Sequence, residues 1–417
     1  MRQRKRLTLP AVLLVLIMLC GLGACQNERK VTELRFIGYN PQSARAAYLR
    51  YLEEKLPHIK ITYEYVAVDE FSSSLESQLK AGKGPDIIEV GGETKQLAVA
   101  GFLLDLTEQA FVRKYVHSGL SAFVANNKVF ATPLQSWYEG IYYNKRIFAE
   151  NGVSIPYSLD EFIGIHKVLA GKGIKPQAMG AQSWEPMMKQ SIGVVNNEFY
   201  SDPANRGFDE EFNQGKAFLA DAWLDAVKAW SRVIDEGCLT KDMLEVTYEQ
   251  ALSEFALGEA AMWESGPWSI QDILDINPAI NEDLGMFPIP GLSRGVGWLV
   301  GGPGSALAIN AKTKRVKQAL EVLELTATPE AQEALIIDNA GSSFLIGVRA
   351  DLGDIYSDCE QAFQAGNVYA PWMAVWDYGN FIVEEYGKSL QEVLAGSKTV
   401  EQALNDADAA NQMMLKR

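Results

Sequence analysis

The stretch LRFIGYNPQSARAAYLRYLEEKLPHIKITYEYVAV, residues 34–68, changes its local pattern twice. The run at 34–39 is rich in β-branched and aromatic side chains, whereas residues 42–57 have a helical period that stops at Pro57. Residues 59–68 then alternate like a strand. Strand, helix and strand joined by short loops are typical of a doubly wound α/β sheet with mostly parallel strands.

The same alternation continues along the chain. A helical pattern covers 70–82, a short buried strand covers 85–90, and a second helical pattern covers 94–106. Two strand-like runs, VFATPL at 129–134 and GIYYN at 140–144, then bracket the connecting segment QSWYE. A second α/β series follows, with a strand at 304–310 and helices at 158–170, 216–236, 248–257, 313–326, 328–339, 379–395 and 399–413. The chain has 417 residues, which predicts two or three lobes rather than one domain.

The N-terminus has the features of an export signal. Four basic residues precede the apolar run Ala11–Leu19, which is too short for an ordinary membrane-spanning helix. The run ends in Leu-Gly-Ala-Cys, which resembles the lipobox of bacterial lipoproteins, so residues 1–24 are predicted to be a signal peptide. Lipid on Cys25 would then anchor a short tether, 25–33, to the outer face of the cell membrane.

Charge and cysteine content exclude several classes of function. Removal of residues 1–24 takes away four positive and no negative charges, so the net charge falls from −15 to −19. A protein this acidic has no basic surface for nucleic acid. The three histidines are widely separated, and the sequence therefore predicts no metal site. Cys238 and Cys359 are expected to be free buried thiols, with a disulfide as the alternative.

Two tryptophans in SEFALGEAAMWESGPWSIQDI, residues 253–273, are predicted to have different environments. Trp263 lies inside a short strand and is expected in the core, while Gly266-Pro267 forces a turn that places Trp268 at a helix N-terminus. Ligands of open α/β sheets bind beyond the carboxyl ends of the strands, so Trp268 is predicted to face a cleft. A flat indole suits the C–H-rich face of a pyranose ring.

Further candidate ligand-binding residues follow other strand-like runs or lie between predicted strands and helices. Glu93 comes after the strand at 85–90, where its carboxylate either caps the next helix or meets a ligand hydroxyl. Aromatic candidates for the remaining walls of a cleft are Trp137, Tyr138, Trp184, Trp298, Trp372 and Trp376. The sequence contains no nucleophile elbow, no zinc-protease motif and no phosphate-binding loop. A pair of acid/base carboxylates, as in glycosidases, stays open as an alternative.

Four motifs together resemble the family 1 extracellular solute-binding proteins of carbohydrate ABC transporters, relatives of maltodextrin-binding protein. They are KAGKGPDIIEV, YYNKRIFAENGVSIPYSLDEF, FALGEAAMWESGPW, and GGPGSALAINAKTKRVKQALEVLELTATPEAQEAL. The resemblance implies a two-lobed α/β fold of the periplasmic-binding-protein type, with discontinuous lobes joined by a hinge. It places residues 31–135 with 299–346 in the N-terminal lobe, and residues 136–298 with 347–417 in the C-terminal lobe.

The resemblance also implies roles for individual residues. Trp268 matches a recurrent stacking platform, Trp137 a position lining the cleft, and Glu93 a position that bonds sugar hydroxyls. Asn40 lies near a position where relatives carry a polar ligand contact. Four more residues match variable loops around the ligand, namely Trp184, Glu185, Trp372 and Trp376.

These features predict a monomeric, lipid-anchored substrate-binding subunit without catalytic residues or cofactor. It would capture a carbohydrate, most simply an oligosaccharide, outside the membrane and deliver it to a permease that a cytoplasmic ATPase drives. Two alternatives stay open: a binding protein for another solute such as a polyamine, and a secreted carbohydrate-active enzyme.

Overall fold

A computed structural model describes residues 31–205, 207–339, 343–348 and 353–416. The predicted signal peptide, residues 1–24, and the lipidation site Cys25 lie outside the described residues. Strands and helices alternate through the chain, as the period of apolar residues predicts. The strands are β1 (Thr32–Gly38), β2 (Ile59–Tyr65), β3 (Ile87–Val90), β4 (Val124–Ala125), β5 (Lys128–Val129), β6 (Ala131–Pro133), β7 (Ser136–Asn144), β8 (Lys175–Ala178), β9 (Ala260–Ser265), β10 (Leu284–Phe287), β11 (Val300–Pro303) and β12 (Ala306–Ile309).

Helices cover the faces of the sheets. The α-helices are α1 (Ala46–Lys55), α2 (Val68–Lys80), α3 (Thr94–Val99), α4 (His117–Leu120), α5 (Lys145–Asn151), α6 (Leu159–Gly171), α7 (Glu185–Val195), α8 (Phe208–Asn213), α9 (Leu219–Ala222), α10 (Leu224–Asp235), α11 (Tyr248–Ala256), α12 (Ile270–Ile276), α13 (Val316–Thr326), α14 (Pro329–Asn339), α15 (Glu360–Ala365), α16 (Pro371–Ala374), α17 (Gly379–Ala395) and α18 (Val400–Met414). A π-helical turn, Asn196–Tyr200, extends α7.

Ten of the strands form two separate sheets, each with its own hydrophobic core, and β4 pairs with β5 in a small third sheet. The first sheet has the order β2-β1-β3-β12-β6, and the second has the order β10-β7-β9-β8 with β11 paired to β7. Apolar side chains of β1, β3 and β12 pack against α1 and α13 in the first lobe. In the second lobe, α7, α10 and α17 cover one face of the other sheet. This arrangement confirms the predicted two-lobed α/β fold.

Both sheets are mixed, but in each of them four strands run in one direction and one strand, β12 in the first sheet and β7 in the second, runs against them, so the prediction of mostly parallel strands is right for strand direction. β1 runs parallel to β2 and β3, and β8 runs parallel to β9, but β12, β6, β10 and β11 pair with antiparallel neighbours. The antiparallel pairs arise where one lobe receives the chain back from the other. A strand that enters a sheet from the opposite end must run against its neighbours.

Two passages of the chain between the sheets lie side by side. β6 leads into β7 through 134–135, and β11 leads into β12 through 304–305. The passages are hydrogen-bonded to each other, because Leu134 N donates to Ser305 O at 2.8 Å and Gly304 N donates to Gln135 O at 3.0 Å. β11 pairs with β7 in the second sheet, so the chain enters the first sheet later than the predicted boundary at 298/299.

Three further predictions of local structure need correction. In QSWYE, the residues SWYE belong to the long strand β7, and only Gln135 is part of a connecting segment. The helix predicted for 94–106 ends at Val99, because Gly101 adopts φ +74° and turns the chain. The helix predicted for 216–236 is two helices, α9 and α10. By contrast, Cys238 and Cys359 are free and buried, which confirms the expected thiols.

Candidate functional site

Three indoles converge where the chain passes between the two sheets. The ring of Trp137 in β7 lies 6.5 Å from the ring of Trp268 and 6.0 Å from that of Trp372, measured between centroids. Trp268 follows β9, and Trp372 lies in α16. Trp268 is 49% exposed, while Trp372 is only 6% exposed. We call these three side chains the indole corner.

Local sequence explains the position of Trp268. β9 ends at Ser265, and Gly266 is extended, with φ −119° and ψ 179°. Pro267 then begins a 3-10 turn that leads into α12, as proline does at a first helical position. The tryptophan therefore projects from a helix N-terminus beyond a strand end, as predicted, whereas Trp263 is 2% exposed and belongs to the core.

A buried ion pair lies beside the indole corner. The Lys189 ammonium of α7 is 2.5 Å from Glu139 Oε1 and 2.7 Å from Glu185 Oε2, and it lies 6.0 Å from the centroid of Trp137. Burial lowers the pKa of Lys189, but the charges of Glu139 and Glu185 outweigh this effect and raise the pKa overall. Lys189 is therefore a cation at neutral pH, held by two carboxylates next to Trp137.

A second buried carboxylate, Glu264 in β9, faces the same side of the sheet. β9 pairs Glu264 with Ile141, and alternate residues of a strand share one face, so Trp137, Glu139 and Glu264 all point towards α7. Both Glu264 oxygens are buried without a hydrogen-bond partner among the described residues. Burial, with the nearby charge of Glu139, raises the pKa of Glu264 well above its ordinary value, although Lys189 opposes this.

The first lobe contributes polar side chains to the candidate site. Asn40 donates to Glu89 Oε1 at 2.6 Å, and Glu89 also forms a fully buried ion pair with Arg45. Glu93 accepts a hydrogen bond from Gly91 N at 3.1 Å, and burial raises the pKa of its carboxyl group. The Glu93 side chain thus binds the backbone before its helix and makes no capping hydrogen bond to the helix itself, so the predicted role as a cap is wrong. The Asn40 amide is held in place by Glu89.

The backbone of two glycines, Gly91 and Gly304, lies between the polar side chains of the first lobe and the indole corner. A Cβ atom built on Gly304 would lie 3.3 Å from Trp137 Cδ1, and one built on Gly91 would lie 3.5 Å from Glu93 Oε2 and 3.9 Å from Gly304 O. Glu93 and Trp137 therefore flank the same short run of backbone at the passage between the lobes. The structure brings together Trp137, Trp268, Trp372 and Glu185 through direct contacts, with Glu93 adjacent.

The other predicted residues have different surroundings. Trp376 is 5% exposed and its indole N–H donates to Asp209 at 2.7 Å, while Tyr138 is fully buried and packs edge-on against Tyr356. Both are core residues in this structure, because they lie on faces covered by other elements, and we leave them out of the site. Two more tryptophans are half-buried: Trp184 packs against Gly387 of α17, and Trp298 forms a β-bridge with Ile289.

The sequence interpretation missed Glu139, Lys189 and Glu264. A charged residue inside each of the apolar runs SWYEGIYYN and AAMWES was the available signal, since an acidic side chain in a buried strand needs a reason. The helix that carries Lys189 was not predicted at all. Glu139 could not be identified as the partner of Lys189 from the sequence, because that requires the arrangement of the strands.

The described ranges contain no group of His, Cys, Asp and Glu side chains arranged to hold a metal ion. Within the same ranges, no helix has both the length and the apolar character needed to cross a membrane.

Architecture and site first define a class: a two-lobed binding protein whose aromatic cluster lies at the passage between two open sheets. Residues 40–333 match the family described as bacterial extracellular solute-binding protein, and the chain belongs to this family. It is therefore a solute-binding protein and not an enzyme, which removes the carbohydrate-active enzyme from the alternatives.

Individual relatives agree with the family assignment. The multiple sugar-binding protein of Streptococcus mutans is 27% identical over 301 residues, covering 70% of each chain. The diacetylchitobiose binding protein DasA of Streptomyces coelicolor is 26% identical, covering 72% of this chain and 69% of its own. A family 1 extracellular solute-binding protein of Bifidobacterium longum subsp. infantis has a similar fold, with a TM-score of 0.80, 20% identity, and coverage of 92% and 99%.

Proposed function

We propose that this protein captures a carbohydrate outside the cell membrane and delivers it to the permease of an ABC importer. The permease would be driven by a cytoplasmic ATPase, which this protein would not contact directly. The observation that carries the proposal is the indole corner, with Trp268 half exposed beside Trp137. Aromatic faces of this kind bury the apolar face of a sugar ring while its hydroxyls meet polar groups at the rim.

The names of relatives support a carbohydrate as the ligand. Both relatives reported above are described as binding proteins for sugars. The polar groups around the indole corner also suit hydroxyls, because Lys189 is a donor and Glu185 and Glu93 are acceptors. The ligand-binding residues of the proposal are therefore Trp268, Trp137, Trp372, Glu185 and Glu93, with Asn40, Trp184 and Trp298 as further candidates for an extended ligand.

The two lobes would close around the ligand. We propose that the paired passages at 134–135 and 304–305 act as part of a hinge between a lobe of residues 31–135 with about 304–348 and a lobe formed by the rest. Backbone at element ends absorbs such rotations. Ligand then stabilises the closed arrangement, because only that arrangement contacts it from both sides.

We further propose that the mature chain is a monomer anchored to the outer face of the membrane by lipid on Cys25. The basic residues, the short apolar run and the Leu-Gly-Ala-Cys ending support the lipid anchor. Labelling cells with a radioactive fatty acid should mark the wild type, and Cys25→Ser should remove the label.

A thermal-unfolding screen of the mature chain tests the function. The panel would contain raffinose, maltotriose, N,N′-diacetylchitobiose, amino acids and spermidine. A ligand at about 100 times its Kd should raise the unfolding free energy by roughly 2.7 kcal/mol. We expect one glycan to give this shift, and Trp268→Ala to abolish it. Leu257→Ala is the control, since Leu257 is an exposed apolar residue outside the indole corner.

Each other outcome has a defined meaning. A shift with spermidine or amino acids alone would keep the solute-binding family and overturn the carbohydrate assignment. A glycan shift that Trp268→Ala leaves unchanged would place the ligand away from the indole corner.

A further inference from the structure

The Lys189 ammonium has more hydrogen-bonding capacity than its protein partners use. An ammonium carries three N–H donors. Glu185 Oε2 accepts one of them at 2.7 Å, and Glu139 Oε1 lies 2.5 Å from the nitrogen as its ion-pair partner. The lysine side chain is 14% exposed, and its nitrogen lies beside the Trp137 ring. At least one donor is therefore available at the edge of the surface on which we place the ligand.

The lysine is held firmly in this position. Glu139 is in the central strand of the second sheet and is 5% exposed, so it cannot move without disturbing the sheet. Glu185 lies one helical turn before Lys189 on α7. A long flexible side chain normally loses conformational entropy when it binds a ligand. Here the two carboxylates have already fixed it, which is the preorganisation that a recognition site requires.

A second hydrogen-bond donor belongs to the Trp137 ring itself. The indole nitrogen of Trp137 is buried and has no hydrogen-bond partner within the described part of the chain. A buried N–H without a partner is uncommon and calls for an acceptor from water or a ligand. The Lys189 ammonium and the Trp137 indole therefore each leave a donor without an acceptor at the indole corner.

We propose that Lys189 is a ligand-binding residue that donates an unused N–H to a hydroxyl or ring oxygen of the sugar stacked on the indole corner. This deepens the proposed function and rests on it. It also selects the class of ligand, because hydroxyl and ether oxygens accept hydrogen bonds whereas a protonated amine has no lone pair to offer. Polyols should bind and polyamines should not.

Two variants test the assignment. Each is expressed as the full-length chain and is measured as the mature protein that the expressing bacterium produces from it. Lys189→Met alone removes the donor but leaves Glu139 buried without its cation, which destabilises the fold. The double variant Lys189→Met/Glu139→Gln removes the donor and the unpaired charge together. Lys175→Met is the control, since Lys175 pairs with Glu254 away from the indole corner. The probe is whichever of raffinose, maltotriose and N,N′-diacetylchitobiose gives the largest thermal shift.

We expect calorimetry to show at least a ten-fold loss of affinity for both Lys189 variants and wild-type affinity for the control. Wild-type affinity in the double variant would overturn the assignment, because it would mean that the lysine only neutralises Glu139. If the proposed function itself is wrong, the wild type will bind no glycan, and this outcome is distinguishable from failure of the Lys189 assignment.

A crystal structure of the wild-type complex decides the point even if the variants do not fold. Lys189 Nζ within about 3.2 Å of a ligand oxygen would support the assignment. A nitrogen beyond hydrogen-bonding distance from every ligand oxygen would overturn it.

Discussion

At the scale of single residues, the environment of Trp268 depends on the absence of a side chain at Gly266. A Cβ atom on Gly266 would lie 2.1 and 2.3 Å from two carbons of the Trp268 ring and 2.6 Å from Tyr138 O. The φ of Gly266 is negative, so any residue could adopt its backbone conformation. Glycine is needed there because the indole folds back against the chain.

We predict that Gly266→Ala displaces Trp268 and weakens glycan binding by ten-fold or more. The clash with the indole ring and with the backbone oxygen of Tyr138 forces both to shift, so stability should also fall by about 1–3 kcal/mol. Calorimetry and thermal unfolding measure the two effects.

The control is Gly164→Ala in α6, where a Cβ would meet nothing within 4 Å. That change should stabilise the helix by about 0.5–1 kcal/mol and leave affinity unchanged. Unchanged affinity in Gly266→Ala would mean that the ligand does not use the Trp268 ring.

Glu264 predicts a pH dependence of stability. Its pKa is raised in the folded protein, so between about pH 4.5 and the raised value the folded state keeps a proton that the unfolded state releases. Stability contributed by this group therefore falls as the pH rises through that range. Glu264→Gln lacks the titration, so its stability relative to the wild type should increase from pH 4.5 to pH 8, reaching about 1–3 kcal/mol.

Thermal unfolding at several pH values measures this difference. Glu259→Gln, which alters an exposed side chain just before β9, should give a curve that overlays the wild type. A Glu264→Gln difference that stays constant with pH would contradict the prediction.

At the scale of elements, β7 organises the second lobe and its site. It pairs with β9, β10 and β11, and its alternation puts Trp137 and Glu139 on one face and Tyr138 and Tyr142 on the other. One face carries the indole corner and the ion pair, and the other packs in the core. A slip of one residue in its pairing would exchange the two faces.

The C-terminal helix α18 offers an independent prediction at this scale. Thr399 accepts a hydrogen bond from Gln402 N, and Gln402 accepts one from Thr399 N, which together form a capping box. Thr399→Ala removes the hydroxyl and should lower the free energy of unfolding by about 1 kcal/mol. Thr399→Ser keeps an acceptor and should retain most of the stability, as measured by denaturant titration. Equal stability of the alanine variant and the wild type would show that the cap contributes nothing.

At the scale of the whole molecule, the Lys95 side chain joins the two lobes at the segment that follows the helix of Trp372. Lys95 of α3 donates to Val375 O at 2.5 Å and lies 3.5 Å from Asp377 Oδ1. The segment that receives it belongs to the second lobe, because Asn213 Nδ2 donates to Val375 O at 2.8 Å and Asn213 Oδ1 accepts from Asp377 N at 3.0 Å. Lobes that separate would break these contacts with Lys95.

We predict that Lys95→Met speeds ligand dissociation by about three- to ten-fold. The ion pair with half-exposed Asp377 contributes little on its own, but the hydrogen bond from the ammonium to the carbonyl contributes more. Stopped-flow tryptophan fluorescence measures the dissociation rate. Lys80→Met is the control, since Lys80 pairs with Glu76 within α2. Equal dissociation from Lys95→Met and the wild type would mean that the contact does not stabilise the closed lobes.

Local sequence alone determined the order of the elements. The strand at Ile59–Tyr65, the helix at Tyr248–Ala256 and the helix at Gly379–Ala395 follow their predicted ranges closely. It also predicted that Trp263 is buried and Trp268 exposed. These properties were accessible because the period of apolar residues and the turn chemistry of glycine and proline act within a few residues.

The reversed direction of β7 and β12 and the partners of the buried charges were decided only by the tertiary structure. The ion pairs of Arg45 with Glu89 and of Lys189 with Glu139 join segments far apart in the chain. Neither the antiparallel pairing of β12 nor the position of Lys189 beside Trp137 has a local signal. The physical reason is that the period of apolar residues indicates only which face of a helix or strand is buried. Packing between distant elements decides which residues contact that face.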